Sequence, residues 1–322
     1  MNTHTSFHSV GELDQLRELT RGGNTHNTQL NPGTLNGLVS HANLGLSSIH
    51  LDHFSLPLRA RGAYSSDWWT FLAPAVGAEG GINAWKTKPN SMFAFSPNAE
   101  LEATTSDWWE QWSFTMKFGE LSRVCEALSQ RECLLLSSRV AMLQPDPVRL
   151  DRLRSFASAA MSLTTESPGL LNDARIREAL HARLVELLAQ TLLSASSVPP
   201  RRGKQDSHWR IVRTAEEFAH ASLDRPIVLS DLCSLTDVSE RTLRSAFLNV
   251  VGLTPNKYLR IIRLNRVRAE LQRSSPGLTS VTSAAMRWGF VHLGRFAQDY
   301  KQFFGESPSE TISEVAKIEP SA

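Results

Sequence analysis

Three side chains in the C-terminal third have the chemistry to read a base edge. Arg241, Arg244 and Ser245 lie on one side of a run whose other side, Leu243, Ala246, Phe247 and Val250, is apolar at helical spacing. An arginine can donate two hydrogen bonds to O6 and N7 of guanine, and a serine can bond either member of a pair. Such chemistry needs a short helix that leads into a groove with its N-terminal turns. Ser230 stands as an N-cap with Asp231 in the first turn, and Leu232 and Leu235 share a face. Thr236–Ser239 interrupts that helix, Ser239 caps the next, and Gly252 and Pro255 end it. Helix, turn and capped helix fill about twenty residues, the size of a DNA-reading helix–turn–helix. An ordinary helical hairpin with a solvated basic face fits the same pattern.

The pattern recurs. Val281, Ala284, Ala285 and Trp288 have helical spacing, Gly289 supplies a turn, Phe290 plugs it, and a second helix starts near His292. Leu293, Phe296, Tyr300, Phe303 and Phe304 form its apolar side, while His292, Arg295, Gln298 and Lys301 point away. Between the two units, Thr254–Ser274 reads as a basic helix. From Glu240 to Arg273 the chain has eight Lys/Arg against two Glu. This suits a spacer lying along phosphates, or a solvated charged helix.

Leu232, Val238-Ser239, Arg241-Thr242-Leu243, Phe247, Gly252-Leu253-Thr254-Pro255, Arg287-Trp288-Gly289-Phe290, Phe296, Tyr300-Lys301 and Phe304-Gly305-Glu306-Ser307-Pro308 together resemble the AraC/XylS family of bacterial transcription regulators. The resemblance covers about the last hundred residues. The Trp288–Ala297 stretch is similar to the ethanolamine-utilisation branch of that family, whose effector is not carried over because the likeness lies in this half. Two positions depart from the family pattern. Thr236-Asp237 replaces the usual Ala-Gly, and Asp237 tolerates left-handed backbone. Leu293 replaces a small polar residue.

The resemblance implies two recognition helices in successive major grooves, about 34 Å apart. It implies base contacts from Arg241, Arg244 and Ser245 in the first unit and from His292, Arg295 and Gln298 in the second. Phosphate contacts then fall to Ser239, Lys257, Arg260, Arg263 and Lys301, giving salt-dependent affinity. It further implies double-stranded DNA and RNA polymerase as partners, a homodimer, activation of transcription, and a small-molecule effector held by an N-terminal β domain. Regulation by a protein partner without such a ligand is the alternative.

Composition agrees with two domains in 322 residues. Residues 201–322 hold 18 Lys/Arg and 13 Asp/Glu, whereas 1–200 hold 16 and 19. A basic C-terminal region beside an acidic one favours nucleic-acid contact in the former. Cys125, Cys133 and Cys233 form no paired motif and read as reduced thiols of a cytoplasmic protein. No apolar run is long enough to span a bilayer, and no signal-peptide core stands at the N-terminus.

Residues 34–118 read as short strands: Leu44–Phe54 (one or two), Trp68–Leu72, Ile82–Trp85, Met92–Phe95, Leu101–Thr104 and Trp112–Phe118. The expected fold is therefore α+β: a small antiparallel barrel or double-sheet roll with helices, then an all-α domain with two helix–turn–helix units joined by a linker helix. Residues 1–9 read as frayed and Val10–Leu19 as a short helix. Glu120–Leu128, Val148–Leu163 and Leu171–Leu193 read as helices. The apolar stripe of the last is either packed on the barrel or, the favoured reading, shared between subunits. The expected domains are 1–193 for sensing and dimerisation (β-rich 34–118, helical 119–193), a linker at 194–205, DNA binding at 206–316 and a disordered tail at 317–322. Within the linker, Val198-Pro199-Pro200 is the stiffer part.

Six of eight tryptophans lie between Trp68 and Trp112. Trp68, Trp85, Trp109 and Trp112 are candidates for an effector pocket, with plain core or a subunit interface as the other readings. His50, Asp52 and His53 invite a metal reading. On a strand His50 and Asp52 share a face and His53 points away, so polar decoration fits better and neither metal nor cofactor is expected. An enzyme is disfavoured: there is no convergent His/Glu set, no Cys–His pair near a basic residue and no Gly-rich phosphate loop.

Overall fold

The computed structural model describes residues 5–10, 24–129, 139–167, 169–199, 204–221, 227–273 and 280–318. The chain divides into two compact units, one of Met1–Asn27 and Leu35–Pro200, the other of Thr28–Thr34 and Arg201–Ala322.

The first unit is built on two antiparallel sheets. The larger has the strand order β1-β3-β4-β11-β6-β9-β12-β13, from β1 (Thr5–Val10), β3 (Gly37–Asn43), β4 (Ser47–Phe54), β6 (Trp69–Pro74), β9 (Met92–Phe95), β11 (Trp109–Met116), β12 (Val140–Gln144) and β13 (Ser196–Val198). The smaller runs β2-β5-β10-β7-β8, from β2 (Asn24–Gln29), β5 (Leu58–Ala63), β7 (Gly80–Ile82), β8 (Trp85–Lys86) and β10 (Glu100–Thr105). Alternation along β11 divides the interior in two. Trp112, Phe114 and Met116 face an apolar cluster shared with α1 (Phe118–Ser129), α2 (Pro147–Glu166) and α3 (Ala174–Leu193). Trp109 faces the other way, into a second cluster between the sheets with Phe54, Leu101 and Phe93.

Several expectations change here. Residues 5–9 are not frayed: Thr5–Val10 pairs residue for residue with β3, whose backbone groups it satisfies. Val10 ends that strand instead of opening a helix, and residues 11–19 lie outside the described residues. The strand expected over Ile82–Trp85 is a hairpin, because Asn83 and Ala84 take positive φ of 43° and 69° and reverse the chain. Ser196–Val198, expected as linker, pairs with β12. Much of the apolar stripe of α3 packs within its own unit: Leu184, Leu188 and Leu192 are fully buried in the cluster under β11, while Ile176 and Leu180 are half-buried.

The second unit is helical: α4 (Lys204–Ala221), α5 (Leu229–Thr236), α6 (Glu240–Val250), α7 (Pro255–Arg273), α8 (Val281–Arg287), α9 (Leu293–Phe304) and α10 (Pro308–Ile318). Val212, Leu232, Phe247, Ile262, Ala284 and Phe296 belong to one apolar cluster, and so does Leu30, only 2 % exposed, from the segment Thr28–Thr34. That segment is hydrogen-bonded in place. Gln29 N–H donates to Asn265 Oδ1 and Asn265 Nδ2 donates to Gln29 O, both at 3.2 Å, while Gly33 N–H donates to Phe303 O at 2.9 Å. The helical unit thus incorporates seven residues of a stretch expected to belong wholly to the sensing domain. Lys317 and Ile318, expected in a disordered tail, end α10, and residues 319–322 lie outside the described residues. Among the described residues no helix is long and apolar enough to cross a membrane.

Candidate nucleic-acid interface

In the first helix–turn–helix, α5 begins at Leu229, one residue before the expected cap. Ser230 sits inside the first turn, and the Asp231 carboxylate instead accepts the Val228 N–H at 3.3 Å. Asp237 closes α5 with φ 50° and ψ 45°, the left-handed conformation its position demands. Ser239 then caps α6, its Oγ accepting the Thr242 N–H at 3.2 Å. Leu243, Ala246, Phe247 and Val250 are buried, which turns Arg241 and Arg244 out to solvent and leaves Ser245 half-buried. Glu240, Arg241, Arg244, Ser245, Leu248 and Asn249 ring an open concavity on this face. Asn249, outside the expected set, is oriented there by donating from Nδ2 to Ser245 O at 2.8 Å.

The second unit repeats the plan with other parts. Ser280 and Ser283 cap α8 reciprocally, each hydroxyl accepting the other's backbone N–H, at 3.0 and 3.2 Å. The Trp288 indole N–H and the Arg287 guanidinium both donate to Glu270, at 2.7 and 2.6 Å, which ties the turn to α7. Gly289 takes φ 79°, and the Phe290 ring lies 4.8 Å from Phe296, plugging the turn. His292 occupies the N-cap position of α9 without a side-chain cap bond, and His292, Arg295, Gln298 and Lys301 are exposed.

The linker helix α7 buries more of itself than a spacer along phosphates would. Tyr258 packs 5.6 Å from Phe247 and donates its hydroxyl to Glu216 of α4. Arg268 pairs with Glu306 at 2.7 Å and lies over the Phe304 ring at 4.7 Å. Arg266 sits 2.9 Å from His220 Nδ1. Among the assigned phosphate contacts, Ser239, Lys257 and Lys301 are exposed. Arg260 is ion-paired with Asp299, and burial followed by the nearby charge of Arg295 lowers its pKa. Burial also lowers the pKa of the half-buried Arg263. Tyr258, Ile262, Val267 and Leu271 bury one side of this helix, and several of its arginines fold onto neighbouring elements instead of standing free along it.

The first unit has a cavity of about 100 Å³ between its sheets. Of the four expected tryptophans, Trp109 lines it. Trp112 faces the helices on the opposite side of β11, and Trp85 is buried with its indole N–H donating to Pro199 O at 3.3 Å. Trp68 stands outside, its ring 5.7 Å from Lys117 Nζ. The polar decoration expected at His50 and Asp52 lies inside the unit. Both line the cavity, and His53 stands on the far face of β4, 4.0 Å from Glu110. Gln111, directly opposite Asp52 in the ladder, donates from Nε2 to Asp52 Oδ2 at 3.0 Å. Burial, offset in part by that bond, pushes the Asp52 carboxyl up to about 6. Burial and the Asp52 charge push the Tyr64 phenol up, which keeps it protonated. Residue-by-residue reading missed Gln111, Ser113 and Thr115, although their polar alternation against Trp112 and Phe114 carries the signal.

Ser47, His181 and Glu120 form a further polar line, with Ser47 Oγ 2.8 Å from His181 Nδ1 and Glu120 Oε2 2.7 Å from His181 Nε2. Ser47 is only 1 % exposed, and the line ties α3 to β4 and to α1. Among the described residues no three His, Cys, Asp or Glu are grouped to hold a metal ion.

Residues 232–314 match the family model of a helix-turn-helix domain. The chain is 43 % identical over 105 residues to the probable thc operon regulatory protein of Rhodococcus erythropolis, a match covering 33 % of this chain and 32 % of that one. The chain thus spans about a third of that relative's length. It is 36 % identical over 129 residues to XylDLEGF operon transcriptional activator 2 of Pseudomonas putida, covering 40 % of this chain and 82 % of that one. It is 38 % identical to a crystallised probable AraC family transcriptional regulator from Rhodopseudomonas palustris CGA009, covering 33 % of this chain and 97 % of that one with a TM-score of 0.31. The named relatives are regulators, not enzymes.

Proposed function

Because the chain belongs to the AraC/XylS family of transcription regulators, we propose that it is a sequence-specific DNA-binding activator controlled by a small molecule held between the sheets of its first unit. The observation that carries the DNA half is the pairing of two capped turns with outward donors: Arg241 and Arg244 on α6, His292, Arg295 and Gln298 on α9. Side-chain donors on a helix that follows such a turn give base readout, and Lys257 and Lys301 add sequence-independent phosphate attraction. The relative named as a transcriptional activator supports activation, which brings RNA polymerase in as partner, and the family resemblance supports a homodimer.

Selection of bound sequences from random DNA by the full chain tests the reading. The expected product carries two half-patterns about one helical turn apart, and Arg241→Ala relaxes the choice at one position within one of them. A selection that returns no preferred sequence overturns it.

The effector part rests on the cavity lined by Trp109, Asp52, Tyr64 and Gln111. An effector switches DNA binding only if it binds the competent and incompetent states with different strength. Trp109 should report the event by a fluorescence change that a Trp109→Phe variant lacks.

A further inference from the structure

We propose that the cavity takes a small organic cation, a protonated amine on an apolar or aromatic body of about one ring, with its ammonium group against Asp52. The inference rests on the reading of this cavity as the effector site and adds the chemical class of what enters it. The charge pattern of the walls comes from strand alternation. On β5, Leu58 and Ala60 face the cavity while Arg59 and Arg61 face away and pair with Glu102, at 3.1 and 3.9 Å. On β10, Leu101, Ala103 and Thr105 face in and Glu102 faces out. No lysine or arginine lines the cavity among the described residues, and Asp52 is the acidic side chain that does. Its hydrogen-bonded partner Gln111 is a neutral amide, which orients the carboxylate without cancelling its charge.

A buried carboxylate without a cationic partner is costly to keep ionised, and a bound ammonium removes that cost. An anionic ligand would set like charges together in a medium of low dielectric. Phe54, Tyr64 and Trp109 offer aromatic faces suited to the body and, through their π clouds, to the cation. The volume limits the body: about 100 Å³ is smaller than the roughly 150 Å³ of an engineered closed cavity that accepts benzene, so a ring with a short polar arm enters only because this cavity is partly open to solvent, and nothing larger than one ring is expected.

Calorimetric titration of the full chain with benzylamine, benzyl alcohol and benzoate tests this on wild type, Asp52→Asn and the cavity-filling Ala103→Leu. At about pH 7.5, benzylamine is expected to bind about tenfold or more tighter than benzyl alcohol, with benzoate weakest. Asp52→Asn should cost benzylamine about tenfold and move benzyl alcohol by less than about twofold. Should Asp52→Asn not fold, Asp52→Ser removes the same charge. The other titratable groups lining the cavity are His50, next to Asp52 on the same face of β4, and Tyr64. Wild-type affinity for benzylamine should fall as the pH is lowered through about 6, where the carboxyl gains its proton, while that for benzyl alcohol holds. Failure of benzylamine to bind, equal or tighter binding of benzoate, or an unchanged order of the three in the Asp52 variant overturns the proposal. If benzoate wins and Ala103→Leu abolishes its binding, the cavity remains the effector site and only the cation is lost. If Ala103→Leu weakens none of the ligands, both readings fall.

Discussion

The first helix–turn–helix presents its arginines to open solvent, whereas the second presents its own beside an acid and carries a piece of the N-terminal chain on its flank. On α6, Arg241 and Arg244 stand clear of the packed face. On α9, Arg295 shares its surroundings with Arg260, which is already paired with Asp299 one turn further along the same helix. Gly294 offers no side chain, and Leu293 packs against the core. The segment Thr28–Thr34 bonds to α7 and α9. One sequence plan repeated on one scaffold thus yields two different devices: an unencumbered reader and a braced unit whose charge is partly committed to the protein itself.

The brace gives the largest expected effect. Leu30→Ala removes a side chain that is only 2 % exposed within the helical core and should cost about 2–5 kcal/mol of stability. Hydrogen exchange should show α9 opening sooner than α6. A loss below about 1 kcal/mol, or equal loosening of both helices, would mean that the segment merely rests on the surface.

Next comes the contrast in reading. Arg241→Ala should weaken binding to a selected sequence by about 1–3 kcal/mol and relax choice at its base, and Arg295→Ala should fall in the lower half of that range. Removing Arg295 also relieves the repulsion it exerts on Arg260, which offsets part of the lost contact. Equal losses in a gel-shift comparison would erase the distinction between the units.

This contrast was only partly legible in the sequence. The helices, the left-handed Asp237 and Gly289, the Ser239 cap and the outward set Arg241, Arg244, His292, Arg295 and Gln298 follow from local periodicity and turn chemistry, which act within a few residues. The Arg260–Asp299 pair and the docking of Leu30 join residues far apart in the chain, and no local pattern announces them. The same divide separates the two units. On β4, alternation correctly put His50 and Asp52 on one face and His53 on the other, but which face was the inside depended on pairing with β11 across more than fifty residues. The tryptophans were divided by that same alternation: Trp109 and Trp112 lie three apart on one strand and so face opposite ways, but which of them faces the cavity again depended on the pairing.

A smaller effect follows from releasing the committed charge. Asp299→Asn leaves Arg260 without its ion-pair partner and adds one net positive charge to the face of α9. DNA affinity should rise at low salt, and the slope of log affinity against log salt should steepen by about one. An unchanged slope would show that Arg260 stays turned away from phosphate.

The smallest effect lies in the turns, where the two units solve one backbone problem with different residues. Asp237 holds φ 50° and Gly289 holds φ 79°, both left-handed. Glycine reaches that region at little cost, while an L side chain pays a modest steric penalty there that aspartate tolerates better than most. Asp237→Gly should therefore stabilise the helical unit slightly, by up to about 1 kcal/mol, since the relief of backbone strain outweighs the added freedom of the unfolded chain. Gly289→Asp should destabilise it by about 1 kcal/mol. A Cβ built at Gly289 meets nothing within 4 Å, so the second change tests conformation alone and not crowding. Denaturant melts of the two variants should move in opposite directions. If both fall, the Asp237 side chain is holding its turn by a contact that outweighs its backbone strain, and the first unit is less tolerant of its unusual turn than its geometry implies.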